Sequence, residues 1–199
     1  MKLIIIRHGE TEENAAGIIQ GHLPGKLSKN GISQAKKVAL RFKDEKIDYI
    51  YSSDLARAAD TAKEIAKYHP ETPIEFVENL REKDLGELAG KRKEDIRYTG
   101  DEKITFVEPQ NGETTEQLFE RAKKVLDETI ERHHEDVVMF VCHGGIGKAL
   151  IAAINGEEKF EFESIQRLHN TSVNIYEIDK EKNNELLCFN CINHLDLDD

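Results

Sequence analysis

The apolar run Leu3-Ile4-Ile5-Ile6 empties straight into Arg7-His8-Gly9-Glu10-Thr11, and no other stretch limits the architecture so tightly. A strand with one wet face alternates apolar and polar residues. An unbroken aliphatic run instead predicts a strand covered on both sides, as in the sheets of α/β proteins. Ligands of such open sheets gather at the carboxyl ends of the strands. The first of those ends carries a guanidinium, able to grip two oxygens of an anion at once. Beside it stands an imidazole that can attack phosphorus or carry a proton at neutral pH. Two such residues alone are an ordinary surface pair. Their weight comes from a second histidine, His143, placed the same way after a second apolar strand.

Helical and strand patterns alternate along the rest of the chain. Lys2–Ile6 is a predicted strand, and Gly31–Asp44 an amphipathic helix with Ile32, Ala35, Val38, Ala39 and Phe42 on one face. Asp48–Tyr51 reads as a strand, Leu55–Lys67 as a helix ending before Pro70, and Ile74–Val77 as a short strand. Thr114–His133 is a long helix with Leu118, Ala122, Val125, Leu126 and Ile130 inward, followed by the strand Asp136–Cys142 and the helix Gly144–Asn155. Val173–Ile178 and Leu186–Cys191 close the chain as paired strands around Asn183-Asn184. The expectation is a three-layer α/β/α sandwich with a mainly parallel sheet and an antiparallel edge strand. One domain covers 1–199, with an irregular cap or lid insertion at about 78–113 that holds a polar helix near Arg92–Tyr98. Within it, Tyr98–Gly112 carries Phe106, Val107 and Pro109, enough apolar surface to cover a ligand and exclude water.

Composition narrows the partners. A net charge of −11 argues against a general nucleic-acid or anionic-membrane binder. No apolar run approaches the ~18 residues of a membrane span, and no signal peptide is visible. Three cysteines, an odd number, do not make a disulfide framework, so a reducing cytoplasm is the simplest assignment.

Phosphoryl transfer needs a nucleophile, positive groups around the equatorial oxygens and an acid for the leaving oxygen. Each is supplied just after a strand or at a helix start. His8 follows the first strand, Ser52-Ser53-Asp54 the second, Leu80-Arg81-Glu82 the third and His143-Gly144-Gly145 the fourth. Arg57 lies in the first turn of a helix, where it can face a phosphate held by that helix's N-terminus.

With these motifs the chain resembles the histidine phosphatase superfamily, the phosphoglycerate-mutase-like fold. Arg7–Thr11 is followed by Asn14 and Gln20-Gly21, then by Ser52-Ser53-Asp54 with Arg57-Ala58 and Thr61, and by Leu80-Arg81-Glu82 with Gly86 and Gly90. Gly112-Glu113-Thr114 and His143-Gly144 complete a set that runs in order over nearly the whole chain. The resemblance implies that His8 becomes a phosphohistidine and that Arg7, Arg57 and His143 bind the phosphoryl oxygens, His143 protonated beside the dianion. It implies that Glu82, its pKa raised by a nearby phosphate, protonates the leaving alkoxide and then activates water. Asn14, Gln20, Gly21, Gly144 and Asn170 would contact the transferring group or substrate. No metal or other cofactor is implied. Glu13, where an aromatic residue is common, and Lys26, where a Pro or acidic residue is common, depart from the family pattern at the rim.

Rival readings of the same residues fare worse. A cysteine phosphatase loop on Cys142 needs Arg where Lys148 stands, and a Walker loop needs Gly and Ser or Thr where Cys142 and Ala149 stand. Cys188-x-x-Cys191-x-x-His194 has metal-like spacing, but residues three apart on a strand point to opposite faces, which disfavours zinc. The short stretch Lys83–Gly90 resembles the phosphatase branch, such as α-ribazole phosphatase and broad-specificity phosphomonoesterases, rather than the longer, basic insertion of the mutases. The reading is a metal-independent hydrolase of a small phosphomonoester. The alternatives are a cofactor-dependent phosphoglycerate mutase and a catalytically idle phosphate-binding module. The physiological substrate and the oligomeric state are not legible.

Overall fold

In the computed structural model, which describes residues 1–96 and 108–196, the strand of the opening run is β1 (Lys2–Arg7). It pairs in parallel with β4 (Val137–Cys142) on one side and antiparallel with β5 (Val173–Ile178) on the other. Beyond β4 lie β2 (Tyr49–Ser53) and β3 (Ile74–Val77), both parallel; beyond β5 lies β6 (Asn184–Cys191), antiparallel. The six-stranded order is β3-β2-β4-β1-β5-β6, so the expected antiparallel edge is two strands deep.

The unbroken apolar run has the reason anticipated for it. Leu3 and Ile5 point into one core layer and Ile4 and Ile6 into the other, and all four are fully buried. β4 divides likewise, with Val138, Phe140 and Cys142 on one side and Met139 and Val141 on the other. One layer is closed by α2 (Lys29–Phe42) and α3 (Ala56–Ala66), and the other by α5 (Thr115–His133) and α6 (Gly144–Ile154). Leu118, Ala122, Val125, Leu126 and Ile130 of α5 all face inward as predicted. Two short helices, α1 (Glu12–Ala15) and α4 (Lys93–Ile96), complete the set among the described residues.

Three local differences from the sequence reading have physical causes. Ile32, expected inward, is 42% exposed, because α2 turns the bare Gly31 toward the loop after β1 instead. Helix α1 has too few residues to show periodicity; a capping box made by Thr11 and Asn14 holds it. The last turn spans Asp179 to Asn183, and Asn184 is already in β6. Tyr98, Phe106 and Val107, the main part of the expected covering loop, lie outside the described residues.

Candidate active site

The carboxyl ends of β1, β2 and β4 and the loop after β3 meet at one edge of the sheet. His8 follows β1, and its backbone N–H donates to the carbonyl of Cys142 on β4 at 2.9 Å. The ring is nearly buried and its Nδ1 lies 2.6 Å from the Gly9 carbonyl. A carbonyl only accepts, so Nδ1 carries the proton and Nε2 keeps its lone pair. Burial first, then the charges of Arg7 and Arg57, hold the pKa of His8 well below 6.5, so the ring is neutral across the ordinary working range. Gly9 is locked in turn, its N–H donating to Thr61 Oγ1.

His143 lies beside it, the ring centroids 5.1 Å apart, but is held differently. Arg57 Nε donates to its Nδ1 at 3.1 Å, which makes Nδ1 the acceptor and leaves Nε2–H to donate to Ser53 Oγ at 2.8 Å. Burial, followed by the charge of Arg57, keeps this ring neutral too. For His143 to carry the expected proton, Arg57 Nε must first turn away from Nδ1.

The two arginines divide their work. Arg57 gives four of its five N–H groups to the protein, reaching the carbonyls of Leu23, Pro24 and Gly21 besides His143. It is chiefly a clamp on the 21–24 loop. Arg7 gives one bond, from Nη1 to the Leu168 carbonyl at 2.7 Å, while its buried Nε has no partner among the described residues. Burial lowers both guanidinium pKa values to about 10, against the opposing pull of Glu82, so both stay charged at neutral pH.

Glu82 occupies the N-terminus of α6. Oε2 accepts from Gly145 N at 3.0 Å, and Oε1 from Ile146 N at 3.1 Å and Lys83 N at 2.9 Å. A carboxylate suits that end of a helix dipole. Gly144 separates it from Arg7: a Cβ added there would stand 3.6 Å from Arg7 Nε and 3.8 Å from Glu82 Oε2. Backbone contacts brace the segment, with His22 Nε2 2.8 Å from the Glu82 carbonyl and Arg121 donating to the carbonyls of Asn79, Arg81 and Glu82. Arg121 is itself paired with Glu113, and Arg81 points away from the site to Asp54.

The remaining predicted residues are placed as follows. Asn170 Nδ2 donates to the His8 carbonyl at 3.0 Å and reaches Asn14 Oδ1 at 3.4 Å, so these two meet at the loop that carries His8. Gln20 is buried with Oε1 unpartnered among the described residues. Gly21, at φ +52°, supplies a carbonyl to Arg57, which makes it a support of the clamp. Cys142 is fully buried and its thiol is pushed up to about 12, so it is no nucleophile. The expectation that Cys188 and Cys191 face opposite ways is wrong: both sulfurs lie on one guanidinium, that of Arg41, at 3.8 and 3.2 Å. One cation already faces both sulfurs, and among the described residues no three His, Cys, Asp or Glu side chains form a metal set. Arg121 escaped the sequence reading, because it acts on backbone carbonyls and belongs to no compact motif.

Residues 3–191 match the family model of the histidine phosphatase superfamily, branch 1. The chain belongs to that superfamily. Membership, together with relatives named as phosphatases, supports a phosphoric monoester hydrolase. This histidine phosphatase is 36% identical over 192 residues to a metal-independent phosphoserine phosphatase of Arabidopsis thaliana, an alignment covering 91% of this chain and 78% of that one. It is 33% identical over 201 residues to phosphoserine phosphatase 1 of Hydrogenobacter thermophilus, covering 98% and 94%. Among solved structures it resembles a phosphoserine phosphatase from Entamoeba histolytica in complex with 3-phosphoglyceric acid. The TM-score is 0.83 and the identity 30%, with 98% of each chain covered.

Proposed function

We propose that this phosphatase hydrolyses a small phosphomonoester by way of a phosphohistidine on His8, without a metal cofactor. The observation that carries the reading is the bond from His8 Nδ1 to Gly9 O, which commits one ring nitrogen and leaves the other nucleophilic. Nε2 attacks phosphorus and the ester P–O bond breaks. Glu82, on the far side of Gly144 from Arg7, takes up a proton as the phosphate dianion binds beside it, gives that proton to the departing alkoxide, then takes one from the water that cleaves the P–N bond. The charges of Arg7 and Arg57 supply the positive field that phosphoryl transfer requires. Asn14 and Asn170 fix the loop that presents the nucleophile, while Gln20 and the open backbone at Gly144 face the transferring group.

Phosphoserine is the first substrate to try, because relatives along nearly the full chain bear that name. The test is phosphate release from L-phosphoserine and from a generic aryl phosphate in excess EDTA, for wild type and His8→Ala. Turnover that survives EDTA and drops more than about a thousandfold in the variant is the expected result. Interconversion of phosphoglycerate isomers faster than phosphate release would replace this reading with a mutase.

A further inference from the structure

The edge strand β6 holds a feature that the phosphatase reading does not use. β6 contains a bulge: Cys188 pairs with Ile175 and Cys191 with Val173, so three steps on one strand face two on the other. The extra residue, Asn190, sits at φ +47°. The bulge brings both half-buried cysteines to one side and reduces their separation to about two strand steps, roughly 7 Å between Cα atoms. Disulfides usually span about 4.4–6.8 Å, so a small contraction of the bulge is enough to close one. Arg41 already gathers the two sulfurs.

Two routes connect this pair to the anion site. Asn190, between the cysteines, receives the His169 N–H at 2.9 Å and donates to the Arg167 carbonyl at 3.0 Å, so it holds both flanks of Leu168. The Leu168 carbonyl is the one that anchors Arg7. After Cys191 the chain turns to His194, whose Nδ1 lies 3.4 Å from Arg41 and whose Nε2 lies 3.2 Å from Thr171 Oγ1. The Thr171 N–H donates to the carbonyl of Arg7 at 2.9 Å.

We propose that Cys188 and Cys191 are a site of reversible oxidation by peroxide, forming a disulfide that contracts the Asn190 bulge and shifts the anchorage of Arg7. Cys191 is the attacking thiol: the Asn193 backbone N–H, with Arg41, lowers its pKa, whereas burial raises that of Cys188. Its thiolate bonds to one peroxide oxygen as the O–O bond breaks and hydroxide leaves, giving a sulfenic acid. The Cys188 sulfur then displaces the sulfenic oxygen. An S–S bond forms, the S–O bond breaks, and the oxygen departs as water with the Cys188 proton. Two thiols have lost two electrons, and the peroxide has gained them.

The experiment treats the full chain with hydrogen peroxide, alkylates it under denaturing conditions and maps the peptides, with turnover of an aryl phosphate measured in parallel. The peptide carrying Cys188 and Cys191 is expected to lose two hydrogens and resist alkylation, while buried Cys142 remains alkylatable. kcat/KM is expected to fall about fivefold or more and to recover with a thiol reductant. Cys188→Ser and Cys191→Ser should match the untreated wild-type rate and lose the reductant-reversible drop. Both cysteines remaining alkylatable after peroxide overturns the proposal, as does a crosslinked chain with unchanged kcat/KM. Peptide mapping does not depend on turnover. Should no ester be hydrolysed, affinity for inorganic phosphate, weaker in the oxidised chain, reads the coupling in its place.

Discussion

Gly145 acts by having no side chain. A Cβ there would stand 2.4 Å from Glu82 Oε1, inside the seat that the carboxylate takes at the head of α6. Gly145→Ala therefore pushes Glu82 out of place, while the helix itself gains up to ~1 kcal/mol of propensity. We expect kcat on an aryl phosphate to fall about a hundredfold, the usual consequence of moving a catalytic group by an ångström, with the melting temperature nearly unchanged. An unaltered kcat would show that Glu82 does not act from this seat. At this scale the sequence was informative where the chemistry is carried by side chains in compact motifs: Arg7, His8, Arg57, Glu82 and His143 converge. It was silent where a residue acts through the backbone. Arg121 bonds three main-chain carbonyls and Asn190 clamps a loop, and neither pattern leaves a trace in residue spacing. The division of labour between Arg7 and Arg57 was hidden for the same reason.

Among the elements, α2 and the loop that carries His8 are joined with unusual closeness. A Cβ on Gly31 would lie 1.9 Å from the Glu10 carbonyl oxygen, and one on Gly9 would lie 2.6 Å from the Gly31 oxygen. Both contacts are backbone to backbone and cannot be relieved by a rotamer change. Alanine is worth ~1 kcal/mol over glycine inside a helix, but overpacking of this kind costs about 1–3 kcal/mol or more, and the clash should win. Gly31→Ala is thus expected to lower both the denaturation midpoint and kcat, since the loop it displaces carries His8. A stabilised variant would mean that α2 can slide freely over the loop. The periodicity of α2 was legible, but its phase was misread by one residue at the start: Ile32 looked like the inward residue, and the small Gly31 holds that position. Hydrophobicity marks a packed face only where side chains do the packing. The β6 bulge misled the reading of Cys188 and Cys191 in a similar way, because strict alternation assumes that no residue is added to the strand.

For the whole molecule, the edge of the sheet proposed to bind the phosphoryl group is also a store of uncharged histidine. Burial holds His8 and His143 well below 6.5, and His194 is lowered to about 4. As pH falls through 6.5, the unfolded chain binds protons at these positions that the folded chain refuses, so unfolding becomes more favourable. Stability from this source is full above about pH 6.5 and declines from there toward the depressed values. Denaturant midpoints measured at pH 7.5, 6 and 5 should decrease in that order, with net proton uptake on unfolding at pH 5. A flat profile would mean that the folded histidines are charged. The strand order adds a constraint of another kind. β1 and β2 are not neighbours; β4 inserts between them, and it is β4 that delivers His143. During synthesis β1, with His8 at its end, is made before β4, its partner in the middle of the finished sheet, which arrives more than a hundred residues later. Until then the half-made sheet has a gap beside β1 where the strand leading to His143 belongs. In that interval the nascent chain carries His8 with no means of using it.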